Sequence, residues 1–402
     1  MPNVMCQKLQ NTISYDEVDR VPKNINITLF DLFLYVGAIV GHFIDLGIDI
    51  NIAVRYCLGN MMVEFGWTLV FILLPGIVNT AISVRMYSID KKEKTESDEI
   101  TKRKWLRNLM LIILMAPTLR VLHALIYAIK SRNARRRKDP VSQQMYYRLM
   151  LKEDSDAALL RIFECFLEAA PQMVLQTGLL LQRHQHLTLH QTLSIASSIY
   201  SLGGMGWCLA SFQRAIRYPQ PDKLNIKWRG TLLQTLWHFC ITLSRISALS
   251  IVAYLFPYQL IGACAVHILT MSFIVQFFDR PPFCNHHIIA SIAFSITLGA
   301  VYLFTYIPVK ELKITRYRYA TYYTICFIEN IACAVIWYLY CDMYEPEMRN
   351  MVYYIGFLII STVPFVFGIL FMILYYLYFH PKATHGVDDV IEQKMDHIEL
   401  NN

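Results

Sequence analysis

The amino-acid sequence predicts an all-α protein that crosses a membrane several times. Of its 402 residues, 55% are hydrophobic and only 17% are charged, and the mean hydropathy is +0.36. Soluble domains carry roughly 25% charged residues. Ten apolar stretches approach the roughly 20 residues that a helix needs to cross a bilayer. They lie near 29–52, 62–86, 105–129, 157–182, 188–211, 231–256, 259–279, 286–306, 320–341 and 351–379.

The positive charges of the first half indicate how many of these stretches cross. The polar residues 1–28 are too long and too charged for a signal peptide, so the first stretch is expected to remain as an anchor. Loops 87–104 and 130–155 are both rich in lysine and arginine, which predicts that both are cytosolic. The stretch between them, 105–129, is therefore expected to enter the membrane and return, with Pro117 near its middle.

The second half repeats this pattern. Loops 212–230 and 307–319 are again basic, so 286–306 is predicted to be a second half-inserted helix. The expected architecture is eight transmembrane helices plus two re-entrant ones, with both termini cytosolic and two parallel repeats. Ten spans that violate the charge rule are the alternative. The predicted regions are an N-terminal tail 1–28, repeats 29–211 and 231–379, a linker 212–230 and a C-terminal tail 380–402.

Charged residues inside the apolar stretches are the candidate site. On a helix, Asp31, His42, Asp45 and Asp49 share one narrow stripe, which is expected to face the bundle or water rather than lipid. The other candidates are Glu64, Arg120, Arg161, Glu164, Glu168, Arg245 and Glu329. The three arginines are the candidate partners of Asp45, Glu164 and Glu168. These charges either pin helices together or form a hydrophilic track for zwitterionic lipid headgroups, whereas a cation channel would more naturally carry one sign.

Glu164 and Glu168 lie four residues apart, on one helix face, and Pro171 is expected to break that helix. The surrounding sequence ECFLEAAPQMVLQ resembles the motif of the XK-related proteins, relatives of the Kell-associated XK protein. The resemblance implies a plasma-membrane protein, and several members of that family are caspase-activated phospholipid scramblases. It also implies phospholipids and an executioner caspase as partners. A single-span accessory glycoprotein is a further candidate, because XK itself is associated with Kell.

The polar tails contain candidate switch sites. Asp16-Glu17-Val18-Asp19 matches the tetrapeptide that executioner caspases prefer, with cleavage expected after Asp19, and Asp388 is a weaker rival. Cys57 and Cys341 fall at predicted outer helix ends, which allows a disulfide between them.

The sequence contains no phosphate-binding glycine loop, metalloprotease motif or nucleophile elbow. We therefore expect a protein that is not an enzyme and that binds no cofactor, metal or nucleic acid. The leading hypothesis is an energy-independent scramblase that exposes phosphatidylserine in apoptosis. The alternatives are a non-transporting subunit that anchors a partner protein, and a solute transporter or channel.

Overall fold

The structure is a computed structural model, and every regular element that it describes is a helix. The described residues are 25–92, 104–182, 189–217, 226–279, 288–307, 315–344 and 351–380. We number the α-helices in chain order. They are α1 Leu29–Leu58, α2 Met62–Lys92, α3 Lys104–Ile112, α4 Ala116–Arg136, α5 Pro140–Glu164, α6 Ala170–Gln182, α7 Leu189–Arg217, α8 Trp228–Leu255, α9 Pro257–Ile274, α10 Ile288–Val301, α11 Thr315–Tyr344 and α12 Met351–Leu374.

Six of the described helices are long and apolar enough to cross a membrane: α1, α2, α8, α9, α11 and α12. Many of their large hydrophobic side chains are exposed on the surface of the protein, as the lipid-facing side of a bundle requires. Only α8 is mostly buried, with 72% of its apolar window inside the protein. The chain is therefore a multi-pass membrane protein with α8 at the centre of its bundle.

Helices α3 and α4 form a hairpin whose tip lies beside the middle of α2. Leu114, at the tip, has a positive φ of 62°, which reverses the chain between the two helices. A Cβ atom on Gly76 would lie only 2.9 Å from the Cβ of Leu114, so glycine permits the close approach. One turn along α2, the Thr80 hydroxyl donates to the Leu111 carbonyl at 3.4 Å. The hairpin thus reaches about half the length of α2.

Residues 130–155 are not the loop that the basic sequence suggests. Helix α4 continues to Arg136, and α5 begins at Pro140 after only three intervening residues. The Asp139 carboxylate accepts a hydrogen bond from the Ser142 amide at 3.1 Å and caps α5, and hydrogen bonding from Ser142 lowers the pKa of Asp139. Proline is favoured at the first helical position. This local signal overrides the polar composition.

The helix break expected at Pro171 is replaced by a π-helical turn. This turn spans Cys165–Ala169 and joins α5 to α6, and the Ala170 amide donates to the Cys165 carbonyl. Because proline has no amide hydrogen, a wider turn just before it keeps the helix continuous. We call α5, the π-turn and α6 together the motif rod, since it carries the ECFLEAAPQ sequence on its middle turns.

Helix α8 packs on α6, α7, α11 and α12. Its Trp237 is fully buried, and the indole donates to the Tyr323 hydroxyl at 3.0 Å. In contrast, α1 packs at the outside of the bundle on α2 and α4, and it buries only Ala53. At the N-terminal end of α1, the side-chain amide of Gln143 donates a hydrogen bond to the Ile25 carbonyl at 2.8 Å. This contact connects that end of α1 to the start of α5.

Candidate functional site

Three polar contacts join α1 to the motif rod at successive levels. The Tyr35 hydroxyl lies beside the Asp154 carboxylate. His42 Nδ1 lies 3.0 Å from Glu164 Oε1, and the Gln172 amide donates to Asp49 Oδ1 at 2.9 Å. Because residue numbers rise together on both elements, α1 and the rod run in the same direction. Fourteen residues of α1 separate the outer levels, which is about 21 Å of helix.

The contacts bridge a gap that is open to the surface. The backbone of α1 approaches α2 and α4 most closely, so side chains make most of its contact with the rod. Asp45 and Arg161 are exposed, and Glu164 and Glu168 are half-buried. We call this feature the polar cleft, lined by Tyr35, His42, Asp45, Asp49, Asp154, Arg161, Glu164, Glu168 and Gln172. Charged groups at membrane depth are costly unless water or a polar ligand reaches them.

The middle of the polar cleft is rich in hydrogen-bond acceptors. The Asp49 and Glu168 side chains face each other, so two carboxyl groups lie together at this level. Gln172 is only 4% exposed, and its side-chain nitrogen donates a hydrogen bond to Asp49. Its Oε1 atom has no hydrogen-bond partner within the described part of the chain. A buried acceptor without a partner costs about 1–3 kcal/mol, so this position favours a donor from water or a ligand.

A second charged cluster lies inside the bundle and has a different character. Arg245 is 1% exposed, and it donates to Glu329 Oε2 and Asn330 Oδ1, each at 2.8 Å, and to the Leu303 carbonyl at 2.9 Å. His267 Nδ1 lies 2.7 Å from the other oxygen of Glu329. Arg245 therefore pairs with Glu329 and not with the acids of the polar cleft, contrary to the sequence-based expectation. This cluster joins α8, α9 and α11.

Comparison with known proteins identifies the family. The model of the XK-related protein family matches residues 33–381. The chain belongs to this family. It is also 26% identical to cell death abnormality protein 8 of Caenorhabditis elegans over 95% of this chain and 85% of that protein. Identity to the Caenorhabditis briggsae protein of the same name is 26% over 92% of this chain and 82% of the relative.

Arg120 of this XK-related protein contacts acids that sequence reasoning missed. Its Nη1 atom lies 3.0 Å from both Glu153 and Asp156, and its guanidinium stacks 3.8 Å from the centroid of the Tyr87 ring. Glu153 falls in the segment 130–155 interpreted as a loop, and Asp156 directly follows it. The Asp139-Pro140 start signal would have placed them on a helix, three residues apart and on one face.

The remaining predicted residues lie elsewhere. Asp31 belongs to a capping box with Thr28 at the start of α1, and it accepts from the Thr28 amide at 2.8 Å. Glu64 is in the first turn of α2. Asp19 and Asp388 lie outside the described residues. Cys57 is a half-buried free cysteine, whereas the side chain of Cys341 is outside the described part, so their disulfide stays a prediction that non-reducing peptide mapping can test.

Proposed function

We propose that this protein is an energy-independent phospholipid scramblase whose headgroup path is the polar cleft. The observation that carries the proposal is the exposed carboxylate of Asp45 near the middle of α1, within a ladder of polar side chains. Such a ladder lowers the cost of moving a charged headgroup across the hydrocarbon, while the acyl chains stay in lipid. A passive path works in both directions, so it only equalises the two leaflets.

Two observations favour lipid transport over the alternatives. The polar cleft opens at the surface of the bundle, where an acyl chain can remain outside, whereas a solute path is expected to be enclosed by helices. A subunit that only anchors a partner needs no exposed charge at membrane depth, since such charge costs stability. In the Arg245 cluster, in contrast, the guanidinium is buried and bonds to Glu329, Asn330 and the Leu303 carbonyl, which fits a structural role in holding α8, α9 and α11 together.

The topology that we propose is eight spans and two half-inserted segments, in two parallel repeats with cytosolic termini. The tip of the α3–α4 hairpin lies beside the middle of α2, which supports the first half-insertion. The chain that follows α10 is held by two contacts at its backbone. The Tyr302 carbonyl contacts His267, near the middle of α9, and the Leu303 carbonyl accepts a hydrogen bond from Arg245, near the middle of α8. The parallel course of α1 and the motif rod also fits, because a returning hairpin brings the chain back to the side where α1 begins.

For regulation, we propose cleavage of the N-terminal tail after Asp19, with Asp388 as the rival site, and phosphatidylserine exposure in the plasma membrane during apoptosis. The names of both relatives refer to cell death, which supports this setting. The intact tail would bias the protein towards a closed state, and its loss would shift the population.

The test is reconstitution of the full-length protein in liposomes with a trace of acyl-chain-labelled phosphatidylcholine. Dithionite, which stays outside, then bleaches whichever labels reach the outer leaflet. We expect bleaching beyond the outer-leaflet fraction after treatment with an executioner caspase, and little in untreated or Asp19→Ala protein. Dye-loaded liposomes should stay sealed throughout. Leakage of the dye would favour the channel, and a treated protein that bleaches only the outer leaflet would refute scrambling.

A further inference from the structure

The charge of the polar cleft is unbalanced towards acids. Its five carboxyl groups are Asp45, Asp49, Asp154, Glu164 and Glu168. The basic side chains that line it are His42 and Arg161, and His42 is occupied by Glu164 at 3.0 Å. Even with Asp49 and Glu168 counted together as one negative charge, the cleft retains more negative than positive charge. A headgroup that passes through it meets a negative potential.

The hydrogen-bonding capacity has the same bias. Carboxylates accept hydrogen bonds only, and the unpartnered oxygen of the buried Gln172 adds a neutral acceptor at the same level as Asp49. The Gln172 side-chain nitrogen gives one of its two hydrogens to Asp49, so this side chain keeps at most one donor for a phosphate. The middle of the cleft can therefore satisfy a ligand that brings N–H donors or positive charge, and it offers little to a group that has acceptors alone.

We propose that the polar cleft selects phospholipids by the cationic group of the headgroup. Lipids with an ammonium or quaternary ammonium group, such as phosphatidylethanolamine, phosphatidylserine and phosphatidylcholine, cross readily. Lipids whose headgroup is a phosphate with a neutral alcohol, such as phosphatidylglycerol, cross slowly. In the favoured lipids, the cation precedes or accompanies the phosphate along the acids, while exposed Arg161 is the one cleft arginine available to the phosphate. This selectivity rests on the proposed scrambling activity.

Phosphatidylserine and phosphatidylglycerol provide the decisive comparison, because each carries one net negative charge and only the first contains an ammonium group. The caspase-treated full-length protein is reconstituted in phosphatidylcholine liposomes with a trace of one acyl-chain-labelled lipid at a time. We expect the scrambling rate of phosphatidylglycerol to be about tenfold below that of phosphatidylserine, which corresponds to about 1.4 kcal/mol of barrier.

Asp45→Asn should reduce the ratio of the phosphatidylserine rate to the phosphatidylglycerol rate, since it removes an exposed acid without disturbing a packed core. Asp139→Asn is the matched control, because asparagine also caps a helix and this residue lies outside the cleft. Its ratio should equal that of the wild type. Equal rates for the two anionic lipids, or both much slower than phosphatidylcholine, would overturn selection by the ammonium group and leave scrambling intact. If no labelled lipid crosses, the proposed function itself fails.

Discussion

Removing Glu329 from the Arg245 cluster should destabilise the bundle. In Glu329→Leu, the guanidinium of Arg245 keeps only neutral acceptors, namely Asn330 and the carbonyls of Leu303 and Cys326. Because Arg245 is 1% exposed, its charge is left without compensation, which typically costs about 3–5 kcal/mol. The Glu329 side chain is 35% exposed, so the ion pair is only partly buried and the lower end of this range, about 3 kcal/mol, is expected.

The assay is size-exclusion chromatography of heated, detergent-purified protein, which gives the temperature at which half of the monodisperse peak is lost. The double variant Arg245→Met/Glu329→Leu should recover part of the loss, since it leaves no buried arginine charge without compensation. Thr324→Leu on the same helix is the control, because that hydroxyl is exposed and bonds only to the Ala320 carbonyl of its own helix. A double variant that is no more stable than Glu329→Leu would refute the reasoning.

Two further predictions concern the fold of the first half and the topology. Gly76→Leu should lower the thermal midpoint and the yield of folded protein, because the hairpin tip leaves no space for a side chain. A Cβ atom at Gly66 on the same helix would meet no atom within 4 Å, so Gly66→Leu should be tolerated. Single cysteines introduced at 95, 135 and 313 into a background without reactive native thiols should be labelled by a membrane-impermeant reagent from the cytosolic side alone, and outside labelling at any of them would refute the proposed topology.

The sequence was sufficient to predict an all-helical protein with several membrane spans, and it singled out several residues that line the polar cleft. Periodicity placed His42, Asp45 and Asp49 on one face of the first helix, and the motif singled out Glu164 and Glu168. The structure brings these two faces together across the gap. A stripe of acids at membrane depth has few alternatives to facing a polar neighbour, which is why this part of the site could be predicted.

The partners could not be predicted in the same way, because ion pairing depends on which helices become neighbours. Arg245 and Glu329 are 84 residues apart in sequence and meet only through the packing of α8 on α11. Gln172 was not among the candidate residues because it is uncharged, although its side chain donates a hydrogen bond to Asp49. The six helices that are clearly long and apolar enough to span do not include the motif rod, since its middle turns carry the charges of the site.

The most direct test of the polar cleft is to change the charge at position 45 chemically. An Asp45→Cys protein is reconstituted after treatment with an executioner caspase, and its lipid scrambling is measured before and after modification with either an anionic or a cationic methanethiosulfonate of similar size. Wild-type protein treated in parallel controls for the native cysteines. We expect Asp45→Cys to scramble slowly, the anionic reagent to restore the rate, and the cationic reagent to leave it slow. Equal, wild-type rates before and after both modifications, with reaction at the introduced cysteine verified by mass, would show that headgroups do not pass along the cleft.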